Sequence, residues 1–300
     1  MRRMDAVERR ARLALRHSVV AGHRAGDVVE AARSMICLHG TDPVTVYLSA
    51  RARVDGMTVS DLERALYVDR SLVKHLAMRR TLFVFPRAAL PLAQAGASNR
   101  VADSERRRLI RDVEAAGLHR NGALWLSTAS EQVLELLSDG REFTSSQVRD
   151  AVPALEGSIA YGEGRPWGGR VPVGPRVMTT LSAAGRVLRA SNDGGWTTSR
   201  PRWASTRSWY HDGLVRTHLV PRPVQGAVVR YHRQCRIHGV VGRRIVGGWR
   251  QSDTGEVVLQ LLEDIGSHAQ QVIEGEAARL TEWLGGIRVL PRFPSPLWKT

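Results

Sequence analysis

The segment Leu38-His39-Gly40-Thr41-Asp42-Pro43 carries two polar side chains, those of His39 and Thr41, one residue apart before a predicted helix. Side chains with this spacing on one loop can both reach a single water molecule. A histidine that is neutral near pH 7 can accept a proton from that water, and a threonine hydroxyl can orient it. The alternative is that Thr41 caps the helix and His39 is a polar loop residue. The sequence leaves both interpretations open.

A second group of residues with chemical potential is His232, Cys235 and His238, whose spacing suggests metal ligands. Three ligands on a segment of unusual composition are a weak basis for a structural zinc site, which takes four. The second cysteine is Cys37, and two cysteines supply neither a disulfide framework nor a zinc set. We therefore assign no metal and no cofactor.

The chain is strongly basic, with 44 Lys and Arg residues against 29 Asp and Glu, a net charge of +15 and a pI near 11.2. Such a field attracts polyanions, so nucleic acid is the expected partner. No apolar run approaches the ~20 residues that a membrane span needs. The N-terminus leads into a charged helical pattern without an apolar signal core. We expect a cytoplasmic, nucleoid-associated protein without a membrane partner.

The elements that must position the His39 loop form a recognisable order. Helices are predicted at Val7–Arg16 and Val28–Leu38, and a third begins at Asp42-Pro43 and runs to about Val54. Next come a capped amphipathic helix at 58–66, a turn at 68–70, a second helix at 71–79 and a strand at 81–85. Helix, turn, helix and strand is the order of a winged helix, whose second helix usually faces DNA. An ordinary helical hairpin beside a buried strand is the alternative.

The same order recurs further along the chain. Helices are predicted at 127–137, 144–152 and 175–184, followed by a strand at 185–190, a hairpin turn at 191–195 and a return strand from Trp196. A long charged helix at 102–116 separates the two units. For its Arg106-Arg107-Arg108 run we favour a solvated helix face over a DNA contact.

The C-terminal part has a different pattern. Paired strands are predicted at 244–249 and 255–263, then a helix at 269–283 and a final strand at 285–292. The fold class is therefore α+β, with tandem winged-helix units and a small C-terminal barrel-like domain. We divide the chain into a first unit (1–118), a second unit (119–210), an arginine-rich segment (211–243) and a C-terminal α+β domain (244–300).

Several segments together resemble the AlkZ/YcaQ-type winged-helix DNA glycosylases, whose members remove alkylated bases and unhook interstrand crosslinks. The resemblance is carried by Ser71-Leu72-Val73 with Met78-Arg79-Arg80-Thr81-Leu82, by Trp196 to Trp203, and by Val246–Trp249 with Leu261–Gly266. The family usually has glycine where Arg80 stands. The matching segments occur in the right order and cover residues 5–210 and 244–295.

The resemblance also assigns roles. The family's catalytic motif is glutamine, any residue, then glutamine or aspartate, before an Asp-Pro helix start; here His39 and Thr41 take the two positions. Histidine at the first position is similar to a variation that some relatives carry, whereas threonine at the second position departs from the family's pattern. The resemblance implies a monomer that binds damaged or alkylated double-stranded DNA, with Lys74, Arg79 and Arg80 on the phosphates.

The chemistry can be stated from the substrate. Alkylation at purine N7 makes the base cationic, so the glycosidic bond already has a good leaving group. The enzyme must hold a water against C1′ and stabilise an oxocarbenium-like sugar. A lyase mechanism would need a desolvated amine, and no lysine lies near the loop in sequence. We therefore favour a monofunctional glycosylase.

Residues 213–252 contain no Asp or Glu but eight arginines and three histidines. Relatives have a third winged helix here, and the segment is too short for one. The neighbouring reading frame of 232–242 can encode a sequence similar to the family's own. We infer a frameshift between about Arg222 and Arg243 with an internal deletion, and predict poor packing over 213–243.

Three functions remain open. The first is a DNA-repair glycosylase. The second is a winged-helix transcription regulator, which is usually a symmetric dimer on palindromic half-sites. The third is a non-catalytic DNA-binding remnant.

Overall fold

The computed structural model describes residues 4–161, 164–166, 168–210, 238–241 and 244–290. Their contacts group the chain into two compact units. The terminal unit comprises Met1–Ser34, Tyr47–Thr58 and Gly226–Thr300, and the central unit comprises Met35–Val46 and Val59–Gln225. Residues 1–34 were predicted to belong with the first winged-helix unit; the four-part division stays a prediction.

The terminal unit combines helices with one antiparallel sheet. Its helices are α1 (Ala6–Arg16) and α2 (Val28–Ser34), together with the end of α3 (Pro43–Arg51). The strand order is β11-β10-β9, from β9 (His238–Val241), β10 (Arg244–Gln251) and β11 (Val257–Leu261), and helix α11 (Ser267–Leu284) follows. The predicted strand pair and the helix are therefore confirmed.

Side chains of α11 bind this unit together. The Trp283 indole donates to the Met57 carbonyl at 2.7 Å, and Arg51 pairs with Glu276 at 2.7 Å. The strand predicted at 285–292 is wrong over its described part, 285–290. Gly285 and Gly286 turn the chain through left-handed conformations after α11. The Gln251 side chain then bonds to Ile287 and Val289, in place of a strand ladder.

The described part of the central unit contains two three-stranded sheets, whose elements follow a similar order, and a separate two-stranded hairpin. The first is built from β1 (Leu38–His39), α3, α4 (Val59–Glu63) with a π-helical turn at Arg64–Val68, β2 (Leu72–Ala77) and β3 (Thr81–Pro86), with strand order β1-β3-β2. The second sheet follows α5 (Leu90–Ala93), α6 (Asn99–Ala115) and α7 (Gly122–Leu136). Its strands are β4 (Phe143–Thr144), β7 (Val187–Asn192) and β8 (Pro201–Ser205), in the order β4-β8-β7. Between β4 and β7 the chain forms α8 (Ser145–Ala151), the hairpin β5–β6 (Ser158–Tyr161 and Gly169–Pro172) and α9 (Val173–Ala183), and α10 (Thr206–Trp209) follows β8.

The helix predicted at 71–79 is wrong, because residues 72–77 form strand β2. Apolar residues at 72, 73, 76 and 77 fit helical spacing, but a short apolar run cannot be assigned by periodicity alone. Five of the six β2 residues are buried, and the antiparallel ladder with β3 satisfies their backbone groups. The helix before the first hairpin is instead Val59–Glu63 with its π-helical continuation.

In the second half of the central unit, α8 and α9 lie where helices were predicted. The return strand predicted from Trp196 begins only at Pro201, and the hairpin β5–β6 was not predicted. Thr144 accepts from the Gln147 amide at 3.2 Å, and the Gln147 side chain bonds back to the Thr144 amide at 2.9 Å. This capping box confirms the predicted start of α8. A large core lies beneath it and is made of residues from α6 to β8: Leu109, Val113, Trp125, Leu126, Val133, Leu137, Val148, Leu155, Val173, Val177, Leu181, Val187 and Trp203.

The molecule is a mixed α+β protein with small sheets. No helix in the described ranges is long and apolar enough to cross a membrane. The predicted arginine-rich segment and its frameshift fall mainly on residues 211–237, 242 and 243, outside the described residues. Its described part, His238–Val241, pairs with β10 as a strand.

Candidate active site

The His39 loop is fixed by pairing between β1 and β3. Leu38 lies opposite Val84, and His39 lies opposite Phe83. The Gly40 amide donates to the Leu82 carbonyl at 2.8 Å, so the ladder continues one residue past the strand. A two-residue strand is therefore enough to hold the catalytic candidate in a defined place.

The imidazole of His39 is half-buried against an aromatic side chain. Its ring meets that of Phe83 edge-on, with centroids 5.6 Å apart and planes at 87°. Burial lowers the pKa of His39 below its usual value of 6.5, while the Asp42 carboxylate acts in the opposite direction. The net effect keeps the ring neutral near pH 7, which is the state that accepts a proton.

The start of α3 shows which residue caps this helix, for which Thr41 was one candidate. The Val44 amide donates to the Asp42 side chain at 3.2 Å, so Asp42 is the capping residue and the cap assigned to Thr41 is wrong. Aspartate suits this position because its carboxylate also complements the positive end of the helix. Among the described residues, the half-buried Thr41 side chain makes no hydrogen bond. Its hydroxyl is thus available for a ligand.

Asp42 is a further candidate residue that the sequence pattern does not single out. The pattern identifies it only as part of a helix start, yet its charge raises the pKa of His39, against the larger effect of burial. The available signal was its position: a carboxylate three residues after a histidine, held by a proline-initiated helix, must stay near the loop. The negative charge of Asp42 therefore acts on the imidazole from within the same turn of chain.

Lys74 lies in a different place from the one predicted. It stands on β2 opposite Val84 of β3, which lies opposite Leu38 of β1, so these three residues form one row across the sheet. His39 belongs to the neighbouring row, which contains Phe83. Neighbouring rows of a sheet point to opposite faces. Lys74 and His39 therefore lie on opposite faces of the sheet, and the predicted recognition-helix position of Lys74 is wrong.

The Lys74 ammonium has partners inside the unit. It donates to the Tyr67 hydroxyl at 2.6 Å and lies 4.9 Å from the centre of that ring. Burial and the nearby Arg189 cation lower the pKa of Lys74 to about 8, against an opposing effect of Glu63. This environment suits packing better than contact with a phosphate at the surface.

Arg79 and Arg80 form the tip of the β2–β3 hairpin. Both are exposed and have left-handed backbone, each with φ of 58°. Two consecutive left-handed residues define a tight hairpin turn that favours glycine or asparagine. The Arg80 guanidinium pairs with Glu105 of α6 at 3.0 Å. The turn thus presents cations at the surface in a conformation that arginine adopts at a cost.

A second histidine, His75, shares the cross-strand row of His39 and Phe83 but is buried. Burial lowers the pKa of His75 to about 4, against an opposing hydrogen bond with Gln94. The unfolded chain binds a proton below pH 6.5, whereas folded His75 stays neutral until about pH 4. Stability is therefore lost as pH falls through this window, by about 3 kcal/mol in all.

Urea unfolding between pH 7.5 and 4.5 measures this effect. We expect His75→Gln to flatten the pH dependence, whatever its stability at pH 7.5. His268→Gln, at an exposed position, is the control and should leave the slope unchanged. An equal slope in wild type and His75→Gln would exclude His75 as its source.

The described ranges hold no group of three or more His, Cys, Asp or Glu side chains that could bind a metal ion. Of the three metal-spaced residues in the sequence, His232 and Cys235 lie outside the described residues. His238 lies on β9. Cys37 is buried, and burial raises the pKa of its thiol to about 11, which makes it unreactive at neutral pH.

Comparisons with protein families and solved structures identify proteins that are similar to this chain. The DNA glycosylase AlkZ-like family matches residues 32–240, more than half of the 300 residues. The solved structure of Streptomyces sahachiroi DNA glycosylase AlkZ aligns with a TM-score of 0.59 at 14% identity, over 96% of this chain and 99% of that one. Identity this low shows a shared fold, and no curated protein matches the chain. The chain therefore belongs to the AlkZ-like family of DNA glycosylases, which are DNA-binding repair enzymes.

Proposed function

We propose that the protein is a monofunctional DNA glycosylase that hydrolyses the N-glycosidic bond of N7-alkylated purines in double-stranded DNA. The observation that carries this proposal is the neutral His39 imidazole, held by β1–β3 pairing and within electrostatic reach of the Asp42 carboxylate. Thr41 lies between these two residues in the loop. These groups can bind and deprotonate one water molecule. A cationic purine needs little further assistance to leave.

In the proposed reaction the C1′–N9 bond breaks and its electron pair neutralises the cationic base. The water oxygen forms a new bond to C1′ and gives its proton to His39. Thr41 orients the water by accepting or donating a hydrogen bond. Asp42 stabilises the imidazolium that results, because its negative charge favours the protonated ring.

The position of Lys74 supports hydrolysis over a lyase step. A Schiff base at C1′ requires an amine at the sugar. Lys74 is the only lysine in the described ranges and lies on the sheet face opposite His39. The expected product is therefore an abasic site in an intact strand.

The two sheets of the central unit support a tandem winged-helix interpretation. Each has a short strand, two helices and a hairpin, in the strand orders β1-β3-β2 and β4-β8-β7. We assign the recognition helices to residues 59–68 and to α9, and the wings to the β2–β3 and β7–β8 hairpins. The proposed partner is damaged duplex DNA, bound by a monomer in the cytoplasm, and the C-terminal sheet and helix are the proposed barrel-like domain.

Release of N7-methylguanine from a labelled duplex tests the function. We expect free base, a strand that stays intact at neutral pH, and cleavage of that strand only after alkali. Absence of release by folded, DNA-binding protein, on this duplex and on N7-crosslinked DNA, would support the non-catalytic remnant. Binding confined to one palindromic sequence would instead favour the transcription regulator.

Arg79 and Arg80 are the proposed phosphate contacts on the first wing, and Lys74 is left out because its ammonium is buried. We expect Arg80→Gly and Arg80→Ala to weaken DNA binding equally and to lower the salt slope by about 0.9, one phosphate contact. Both variants lose the exposed pair with Glu105. Arg80→Gly should nevertheless be about 1 kcal/mol more stable than Arg80→Ala, since glycine adopts a φ of 58° without strain.

Urea unfolding and anisotropy titration at several salt concentrations measure the two effects separately. Equal stability of the glycine and alanine variants would contradict the conclusion that residue 80 has a strained, left-handed backbone. An unchanged salt slope in both would remove Arg80 from the DNA contact.

A further inference from the structure

Helix α6 carries an arginine stripe, made of Arg100, Arg107 and Arg111. These positions repeat at spacings of seven and four residues, so they share one helix face. The buried residues of α6, Ala102, Leu109 and Val113, lie on the opposite face. All three arginines are exposed, and they span about 16 Å along the helix.

The stripe continues from the β2–β3 turn. A groove of about 540 Å³ separates that turn from the start of α6, and its walls include Arg79, Arg80 and Arg100. Glu105 is its only acidic lining residue and is already paired with Arg80 at 3.0 Å. The groove and the stripe therefore form one cationic surface.

Three of the four acidic groups of α6 are bound by groups outside the stripe: Glu105 by Arg80, Asp112 by Arg176 and Glu114 by the Gly122 amide. The fourth, exposed Asp103, lies three residues after Arg100 and four before Arg107, on the flank of the stripe. Asp112 pairs with Arg176 of α9 at 2.7 Å and with Arg108 at 3.7 Å. Within the described ranges, Arg107 and Arg111 take part in no ion pair. They stand four residues apart, a spacing at which like charges destabilise a helix. A bound anion would remove that repulsion.

We propose that the arginine stripe binds the phosphate backbone of duplex DNA beyond the segment held by the hairpin tip. For Arg107 this replaces the solvated helix face that the sequence alone favours. Guanidinium groups suit this task because they remain charged and offer several donors to phosphate oxygens. The inference rests on the proposed function, for which DNA is the substrate. It adds three contacts that carry no sequence information and lengthen the bound stretch of duplex.

The test compares two triple variants on undamaged duplex DNA by anisotropy across a salt series. Arg100→Gln/Arg107→Gln/Arg111→Gln removes the stripe, and Arg33→Gln/Arg149→Gln/Arg186→Gln removes the same charge at other exposed positions. We expect the stripe variant to lower the salt slope by roughly 2.7 and to weaken binding on the order of tenfold or more. The control should change the slope by less than one unit.

Equal changes in the two variants would show a general charge effect and overturn the proposal, as would an unchanged slope in the stripe variant. Thermal unfolding shows whether each variant is folded, and the exposed stripe substitutions should not lower the midpoint. Because the duplex carries no damage, the result does not depend on catalysis. A protein that fails to release N7-methylguanine but shows the expected slope change would overturn the proposed function alone.

Discussion

Replacement of His39 by alanine is expected to slow single-turnover release of N7-methylguanine by about 100-fold or more. The variant loses the neutral imidazole that accepts the water proton, while Thr41 and Asp42 remain. DNA affinity should hardly change, because a neutral side chain adds no fixed charge to the phosphate-binding field. Release rates and anisotropy titrations of the same preparations separate the two quantities.

Thr41→Ala is the matched comparison within the loop. It should slow release less than His39→Ala does, since the hydroxyl only orients the water. It should also leave stability unchanged, because Asp42 and not Thr41 caps α3. Equal release by wild type and His39→Ala would remove His39 from the mechanism.

Truncation of Leu38 to alanine is expected to cost about 2–5 kcal/mol of unfolding free energy. Leu38 is 2% exposed and lies in the row of Val84 and Lys74, so the variant leaves a cavity under β1. Since β1 has two residues, loss of this anchor should also disorder the His39 loop. Urea unfolding gives the stability, and base release gives the consequence for the site.

Leu92→Ala is the control for the same chemical change at a position that is 63% exposed. A surface truncation of this kind should stay within about 0.5 kcal/mol of wild type. If Leu38→Ala were no more destabilising than Leu92→Ala, β1 would not be the element that anchors the site.

The family and most elements of the second half were predictable from sequence because local signals agreed there. The capping box at Thr144 and the periodicity of α11 each specify one structure. The hairpin of β7 and β8 was predicted, but its return strand begins at Pro201 and not at Trp196. The paired strands β10 and β11 followed from the turn at Asp253-Thr254-Gly255 in the same way.

The first half was harder because its signals conflicted. Residues 72–77 fit helical spacing as well as a buried strand, and tertiary pairing with β3 decided between them. Because residues 71–79 were predicted to be a helix, the recognition helix was assigned to them, and Lys74 was placed on a helix instead of on strand β2. The proposed role of Asp42 could not be read from the sequence for a similar reason, since a helix cap accounts fully for an aspartate before proline.

The pH dependence of single-turnover base release tests the central claim that His39 accepts the water proton. Burial lowers the pKa of His39 from 6.5, and only the neutral ring acts as a base. We predict that the wild-type rate reaches its plateau at neutral pH and falls as the pH drops below 6.5, while the residual rate of His39→Ala does not vary over the same range. Profiles of the same shape in both proteins would contradict this account.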